Sequence, residues 1–376
     1  MKALVVTNDF PPRVGGIESF VLAMVQRLPA ESVVVHTARQ QGDAAYDATL
    51  PFLVVRDPAK VLLPTPAATR RVVATARAYG CDTVWFGAAA PLGLMASALK
   101  ERAGVQRTVA TTHGHEVWWA MVPGTRQLLR RIGDTNDVLT YLGEFTRSRI
   151  AKALSPAAAA RIVRLTPGVD TARFHPGVDG RPVRERYGLG ERPVIVCVSR
   201  FVRRKGQDTL IRALPMVQRE VPDAAVLLVG DGPERERLVR LARDLGVSAD
   251  VVFAGAHPWE ELPAYFAAGD IFCMPCRTRK FGFEVEGLGI VYLEASASGL
   301  PVVAGRSGGA PDTVIEGKTG FVVDGSDPAA VASVLTDVLG DRVLADRLGT
   351  AGRNFVETRW QWPAVASAFA GVLNRN

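Results

Sequence analysis

Two glutamates, Glu286 and Glu294, lie eight residues apart in a stretch that is otherwise apolar and glycine-rich, EVEGLGIVYLEA. An unpaired carboxylate is costly to bury, so these side chains are expected to contact a polar ligand. Carboxylates accept hydrogen bonds from vicinal hydroxyls, as in a sugar ring. Gly287 to Ile290 lead into a helical pattern that ends at Gly299, and N–H groups at a helix start bind phosphate. The segment therefore predicts a nucleotide-sugar site with one glutamate on each side of the phosphate.

A basic loop, VSRFVRRKGQDTL, carries the second set of candidate residues. Arg200 directly follows a predicted strand, and Lys205 precedes a helix that is expected to begin near Gln207. The guanidinium fork of an arginine and the point charge of a lysine together suit a diphosphate. The alternative is a solvated, exposed basic loop. The position at the carboxyl end of a strand favours binding.

Two histidines follow another predicted strand, in TTHGHEVWW. The spacing of His113, His115 and Glu116 is not that of a zinc protease, so a metal site is not expected. His113 either contacts substrate or packs as a structural residue. The lone CMPC motif, with Cys273 and Cys276, is typical of buried thiols and not of a redox centre.

Two glycine-containing loops bear on the type of ligand. Gly15 and Gly16 precede a helical pattern, where they form either a phosphate or acceptor contact or a simple tight turn. The second loop, GDGPER, has Arg235 where a dinucleotide motif has its third glycine. An NAD enzyme is therefore disfavoured.

Strand-like and helical segments alternate along all 376 residues, and the length predicts two domains with a cleft between them. Near-continuous apolar strands separated by helices indicate parallel sheets covered on both faces, an α/β fold of doubly wound domains. The Pro- and Gly-rich stretch LTPGVDTARFHPG near residue 170 is the expected linker. The expected strands of the first half are KALVVT, SVVVHT, FLVVR, TVWFG, RTVATT and DVLTYL; those of the second half are PVIVCVSR, AAVLLVG, DVVFAG, DIFCMP, LPVVAG and TGFVV.

Composition limits the cellular setting. The first residues do not form a signal peptide, no segment is long and apolar enough to span a membrane, and four cysteines give no disulfide framework, so a reducing cytoplasm is expected. The net charge is +7, and residues 1 to 165 alone carry +8. No RNA-binding signature accompanies this charge, so a nucleic-acid partner is not expected and peripheral contact with an anionic membrane is the preferred form of binding. An ordinary solvated surface is the alternative.

The motifs together resemble those of the retaining GT-B glycosyltransferases of family 4, over nearly the whole chain. The resemblance rests on PPRVGGIESF, TTHGHE, TPGVDTARFHP, VSRFVRRKGQDTL, VGDGPERERL, EVEGLGIVYLEASASGLPVVAGRSGGAPD and RWQWPAVASAF. It implies two Rossmann-like domains that face a central cleft: an acceptor domain, 1–168 with a closing helix 358–376, and a donor domain, 169–357. Within the family the chain is most similar to PimB-type enzymes, which transfer mannose from GDP-mannose to phosphatidylinositol monomannoside.

The resemblance also implies roles for individual residues. Arg200 and Lys205 would bind the donor diphosphate, Glu294 the ribose hydroxyls and Glu286 the transferred hexose. The phosphate would be lined by the amides of Gly287, Leu288, Gly289 and Ile290, and the base by the backbone of Ala256, His257 and Pro258. On the first domain, His113 would be the active-site histidine and Gly16 the glycine that faces donor or acceptor. No metal and no cofactor other than the nucleotide-sugar co-substrate are implied.

Two departures from the PimB-type pattern concern the acceptor. Trp118 stands where a small residue is usual, and Lys280 and Phe281 stand where glycines are usual. These residues leave open a family 4 enzyme that uses another nucleotide sugar, or another lipid or small-metabolite acceptor. A non-catalytic protein that binds nucleotide sugar or anionic lipid is a further alternative.

One further segment, KVLLPTPAATRRVVATARAYG, fits a lipid acceptor. It places the apolar side chains of residues 61–63 beside Arg70, Arg71 and Arg77, as in a helix that rests on an anionic leaflet. An ordinary amphipathic surface helix is the alternative.

Overall fold

The computed structural model describes residues 1–13 and 15–374, and the chain forms two compact units. The first unit contains residues 1–167 and the chain from Pro363 onward, and the second is Gly168–Trp362. The second unit extends past the expected limit of 357 because the N–H of Val169 donates to the carbonyl of Trp360 over 2.7 Å.

Each unit contains one parallel sheet. In the described residues the first sheet has the order β3-β2-β1-β4-β5-β6-β7 and the second β10-β9-β8-β11-β12-β13. The strands are β1 (Ala3–Thr7), β2 (Val33–Ala38), β3 (Leu53–Asp57), β4 (Thr83–Phe86), β5 (Arg107–Thr111), β6 (Val138–Tyr141), β7 (Val163–Arg164), β8 (Val194–Val198), β9 (Ala225–Val229), β10 (Val251–Gly255), β11 (Ile271–Met274), β12 (Val302–Gly305) and β13 (Gly320–Val323). The twelve expected strands are confirmed. The short, exposed β7 was not predicted because it has no apolar run.

Helices connect the strands. They are α1 (Gly16–Val25), α2 (Asp43–Asp47), α3 (Pro66–Ala78), α4 (Ala96–Ala103), α5 (Glu116–Met121), α6 (Pro123–Thr135), α7 (Glu144–Ile150), α8 (Pro156–Ala159), α9 (Arg181–Arg186), α10 (Gln207–Val217), α11 (Arg235–Asp244), α12 (Leu262–Ala267), α13 (Ile290–Ala297), α14 (Pro328–Gly340), α15 (Arg342–Arg359) and α16 (Trp362–Leu373). Short 3-10 turns include Arg203–Lys205, Trp259–Glu261 and Lys280–Gly282. Within the described part of the chain no helix combines the length and apolarity needed to cross a bilayer.

Helix α16 packs on the first sheet. The rings of Phe369 and the fully buried Trp85 lie 4.7 Å apart between centroids, and Arg107 donates to the carbonyl of Val372 over 2.7 Å. The expected closing helix, 358–376, is thus a shorter element that begins at Trp362, and residues 375 and 376 lie outside the described residues.

Parallel strands bring their carboxyl ends to one edge of a sheet, and the loops that follow them therefore lie together. In the second unit, β8 leads into the loop of Arg200 and Lys205, and β10 leads into residues 256–258. In the first unit, β5 leads into the loop of His113. Each sheet thereby collects the candidate residues of its own half of the sequence.

Arg353 on α15 fixes the C-terminal end of α13. Its guanidinium donates to the carbonyls of Ala297, Phe174 and Thr171 over 2.7, 2.6 and 3.1 Å, and it pairs with Glu357. One cation therefore joins α15, the end of α13 and the beginning of the second unit.

Replacement of Arg353 by Met should destabilise the second unit by about 2 to 4 kcal/mol, because it leaves carbonyls without their charged donor. Hydrogen–deuterium exchange should show faster exchange in peptides of the second unit that include α13. Arg342→Met, at an exposed position on the same helix, is the matched control and should exchange like the unmodified protein. Equal exchange in both variants would contradict the role of Arg353.

Candidate active site

The start of α13 forms the centre of the candidate site. Gly289 precedes the helix with φ 84°, and a Cβ there would lie 2.5 Å from the ring of Tyr292, so the turn requires glycine. None of the described residues accepts a hydrogen bond from the N–H groups of Gly287 to Ile290, as expected at a helix start. Leu288 is buried, and its neighbours in this loop are partly exposed. These amides are available to an anion, as the sequence predicts.

Glu286 and Lys205 form a buried ion pair. Nζ of Lys205 lies 2.7 Å from Oε2 of Glu286, and only 12% and 9% of the two side chains are exposed. Lys205 reaches this position because Gly206 turns the chain with φ 80°, where a Cβ would clash with the carbonyl of Pro275. The alternative of a solvated, exposed basic loop therefore does not hold at Lys205, because its side chain turns toward a carboxylate.

Arg200 lies at the end of β8 with an exposed side chain. Its carbonyl accepts a hydrogen bond from the side-chain amide of Gln207 over 3.1 Å, which joins the loop to the first turn of α10. Its guanidinium makes no ion pair with any residue that the structure describes. Arg200 is thus a cation available to an anionic ligand, on the same loop as Lys205.

Glu294 lies one turn inside α13 and is 5% exposed. Its Oε1 accepts a hydrogen bond of 3.0 Å from the indole N–H of Trp259. Burial raises the pKa of this carboxyl group to about 7, although the indole bond acts in the opposite direction. Trp259 was missed at the sequence level. The sequence shows Trp259 only as a large aromatic residue directly after the expected base-binding loop.

The loop after β10 offers its backbone to a ligand. Ala256 and Pro258 are exposed, whereas the ring of His257 turns inward. Nδ1 of His257 lies 2.8 Å from the carboxylate of Glu261. The centroids of the His257 and Tyr265 rings lie 4.3 Å apart. His257 is the only polar side chain among these three residues, and it is paired with Glu261. The loop can therefore offer a ligand only its main-chain groups.

His113 in the first unit is 4% exposed and packed. Its Nε2 lies 2.8 Å from the carbonyl of Gly87, and a carbonyl only accepts, so Nε2 carries the proton. Burial lowers the pKa of the ring. The neutral imidazole therefore keeps Nδ1 as a hydrogen-bond acceptor. The buried Glu116 fixes this loop by accepting the N–H of His113 over 2.7 Å.

Gly16 is the first residue of α1, and, its chain neighbours and the backbone of its own helix apart, none of the described residues has an atom within 4 Å of the position that a Cβ would occupy there. The protein itself therefore does not require glycine at this position. The adjoining loop contains a cluster that sequence reasoning missed: Arg13 pairs with Asp9 over 2.8 Å and with Glu18. Burial raises the pKa of Asp9. In the sequence, this cluster could have been noticed from the two charged residues of DFPPR, Asp9 and Arg13.

The part of the chain that the structure describes contains no group of three or more His, Cys, Asp or Glu side chains arranged to hold a metal ion. The cysteines at positions 81, 197, 273 and 276 are free and buried, as expected for the CMPC motif. Burial raises the pKa of the Cys276 thiol to about 12, so this sulfur is not a nucleophile at neutral pH.

Two parallel-sheet units, one of which has a helix start with unpaired amides next to carboxylates, have the architecture of a GT-B glycosyltransferase. Family models agree: residues 14–173 match Glycosyltransferase Family 4 and residues 181–355 match Glycosyl transferases group 1. The structure of Anabaena HepE in complex with UDP has the same fold, with a TM-score of 0.84, 20% identity and 99% coverage of both chains.

Two relatives of assigned activity are similar to this chain over almost their full length. The chain is 52% identical to the GDP-mannose-dependent alpha-(1-6)-phosphatidylinositol monomannoside mannosyltransferase of Mycolicibacterium smegmatis, over 99% of this chain and 98% of the relative. It is 46% identical to the corresponding enzyme of Corynebacterium glutamicum that acts on the monoacylated acceptor, over 99% and 97%. The chain belongs to the family 4 glycosyltransferases and is a glycosyltransferase enzyme.

The pKa of Glu294 predicts a pH dependence of stability. A carboxyl group whose pKa rises from 4.5 to about 7 on folding stabilises the native state below pH 4.5, and this contribution is lost as the pH rises through 7. The Glu294→Gln variant has no proton to lose. Its free energy of unfolding relative to the unmodified protein should rise by about 3 kcal/mol between pH 4.5 and 8.

Urea denaturation at a series of pH values measures this difference. Glu236→Gln, at an exposed glutamate of the same unit, is the control and should follow the unmodified protein. Parallel pH profiles for Glu294→Gln and the unmodified protein would show that the pKa of Glu294 is not shifted.

Proposed function

We propose that this enzyme transfers mannose from GDP-mannose to a phosphatidylinositol mannoside-type lipid, with retention of anomeric configuration and without a metal ion. The observation that carries the proposal is the start of α13, where no described residue accepts from the amides, with the Glu286–Lys205 ion pair directly before the helix and the buried Glu294 one turn inside it. The two relatives described above, similar over their full length, have the donor and acceptor named here.

Charge stabilisation at the departing diphosphate is the main chemical task. Arg200 contributes a guanidinium with no protein counter-ion among the described residues, Lys205 an ammonium in a mostly buried setting, and the start of α13 a set of N–H groups. Such preorganised donors are most effective where charge develops in the transition state. Because the protein itself supplies two cations here, we propose that no metal ion is required.

Glu286 would orient the transferred sugar. Its carboxylate is buried and held by Lys205, so it can accept hydrogen bonds from sugar hydroxyls beside the diphosphate. Glu294, one turn inside α13, would accept hydrogen bonds from the ribose hydroxyls, and the main chain of residues 256–258 would contact the base. These roles place donor recognition in the second unit.

His113 would contact substrate from the first unit. As a neutral imidazole with a free Nδ1, it can accept a hydrogen bond from a hydroxyl group, and Glu116 keeps its loop in place. It is proposed as an orienting group and not as an acid, since burial lowers its pKa. Gly16 would allow a ligand to approach the main chain at the start of α1.

A basic apolar surface on the first unit would receive the lipid. Val61 and Leu63 are more than half exposed beside α3, and a groove of about 620 Å³ is walled by Arg70, Arg77 and Arg102. The expectation that the whole apolar segment 61–63 faces a membrane is wrong for its central residue, Leu62, which is fully buried in the core. We propose peripheral binding to an anionic leaflet on the cytoplasmic side of the membrane.

Replacement of Glu286 by Gln should lower kcat for mannosyl transfer at least 100-fold, because the variant loses the charge that pairs with Lys205 and orients the sugar. The assay uses purified enzyme with radiolabelled GDP-mannose and phosphatidylinositol monomannoside. Glu236→Gln, at an exposed glutamate, is the control and should retain activity.

Unchanged turnover in Glu286→Gln would remove the main site assignment. If the unmodified protein binds donor but neither transfers nor hydrolyses it with any acceptor, the non-catalytic alternative holds. Parallel arms with UDP-mannose and with inositol phosphate acceptors test the other family activities.

Replacement of both Arg70 and Arg77 by Ser should weaken binding to vesicles of phosphatidylinositol and phosphatidylcholine about tenfold or more, since each basic residue near an anionic surface contributes about 1 kcal/mol. Co-sedimentation at low salt measures the effect. Arg212→Ser with Arg219→Ser, a pair with the same spacing in the second unit, is the matched control. Equal loss in both double variants would show a non-specific charge effect.

A further inference from the structure

Trp259 lies beside the proposed nucleotide site. It begins the 3-10 turn that follows the loop 256–258. Although 42% of the residue is exposed, its indole N–H points to a carboxylate, Glu294, that is almost fully buried. A tryptophan that served only to fill the core would be buried.

Side chains of the linker segment DTARFHP hold the indole in place. The guanidinium of Arg173 lies 4.6 Å from the centroid of the Trp259 ring, and the fully buried Phe174 packs edge-on at 5.6 Å. The carboxylate of Asp170 lies 3.9 Å from the guanidinium of Arg173. The orientation of the indole is therefore set by three residues of one segment, and Glu294 meets a donor whose position is fixed in advance.

The hydrogen bond leaves one carboxylate oxygen of Glu294 for a ligand. Oε1 accepts from Trp259, and no described side chain donates to Oε2. A carboxylate fixed by one oxygen can present the other to vicinal hydroxyls without losing rotamer entropy on binding. A phenylalanine in place of Trp259 would keep most of the ring packing and lose only the N–H donor. This substitution therefore distinguishes the effect of the hydrogen bond to Glu294 from the effect of packing.

We propose that Trp259 is a positioning residue of the nucleotide site: its indole N–H holds the carboxylate of Glu294 in the orientation that accepts the ribose hydroxyls of a nucleoside diphosphate. The proposal rests on the proposed function, in which Glu294 binds ribose. It assigns to the segment 170–174 the task of fixing the indole. Trp259 acts through Glu294 and not on the reacting sugar.

The test is a double-mutant cycle for GDP binding, measured by isothermal titration calorimetry on the full-length protein. The four proteins are the unmodified enzyme, Trp259→Phe, Glu294→Gln and the double variant. Trp259→Phe should weaken GDP binding about tenfold when Glu294 is present. The same change should weaken it less than twofold in the Glu294→Gln background, because the interaction partner has been removed there. The KM for GDP-mannose should rise by the same tenfold factor, with kcat within twofold.

Tyr187→Phe is the matched control, since its hydroxyl donates to the carbonyl of Ala254 beside the same loop but does not contact Glu294. It should bind GDP like the unmodified protein. Unchanged GDP affinity in Trp259→Phe, or an equal loss in both backgrounds, would overturn the positioning role. If Glu294→Gln itself binds GDP with unchanged affinity, the ribose assignment of the proposed function fails instead.

Discussion

The buried contact between Lys205 and Glu286 is the constraint on which the proposed donor site depends. Two opposite charges removed from water are stable only when they pair closely, and loss of either partner leaves an uncompensated buried charge. The 2.7 Å contact therefore fixes the loop after β8 and the loop before α13 at the same time. The cation and the carboxylate are already in place before any ligand arrives.

The secondary structure and most residues of the proposed donor site could be predicted from sequence, whereas their roles stay predictions. Uninterrupted apolar runs identified the twelve strands, and glycines next to Glu286 identified the helix start. The two-residue strand Val163–Arg164 gave no such signal. The sequence did not show which side chains face the core and which face solvent. Leu62 lies between two exposed neighbours and is itself buried, and Lys205 turns inward from a loop of mostly charged residues.

Partnerships across long stretches of sequence were also beyond prediction. Trp259 and Glu294 are 35 residues apart, and Arg353 donates to Phe174 from 179 residues away. No local pattern identifies such pairs, because a hydrogen bond depends on how the elements pack. The resemblance to a known family supplied roles for the motif residues, but it gave none to the side chains that hold those residues in position.

Because α16 packs on the first unit, the first unit cannot complete its packing until the second unit has been synthesised. Trp85 meets Phe369, and Arg107 meets Val372, only after the second unit has been synthesised. The second unit, by contrast, is complete in sequence at Trp362. During translation the first sheet therefore lacks the packing of Phe369 on Trp85 until α16 has been synthesised.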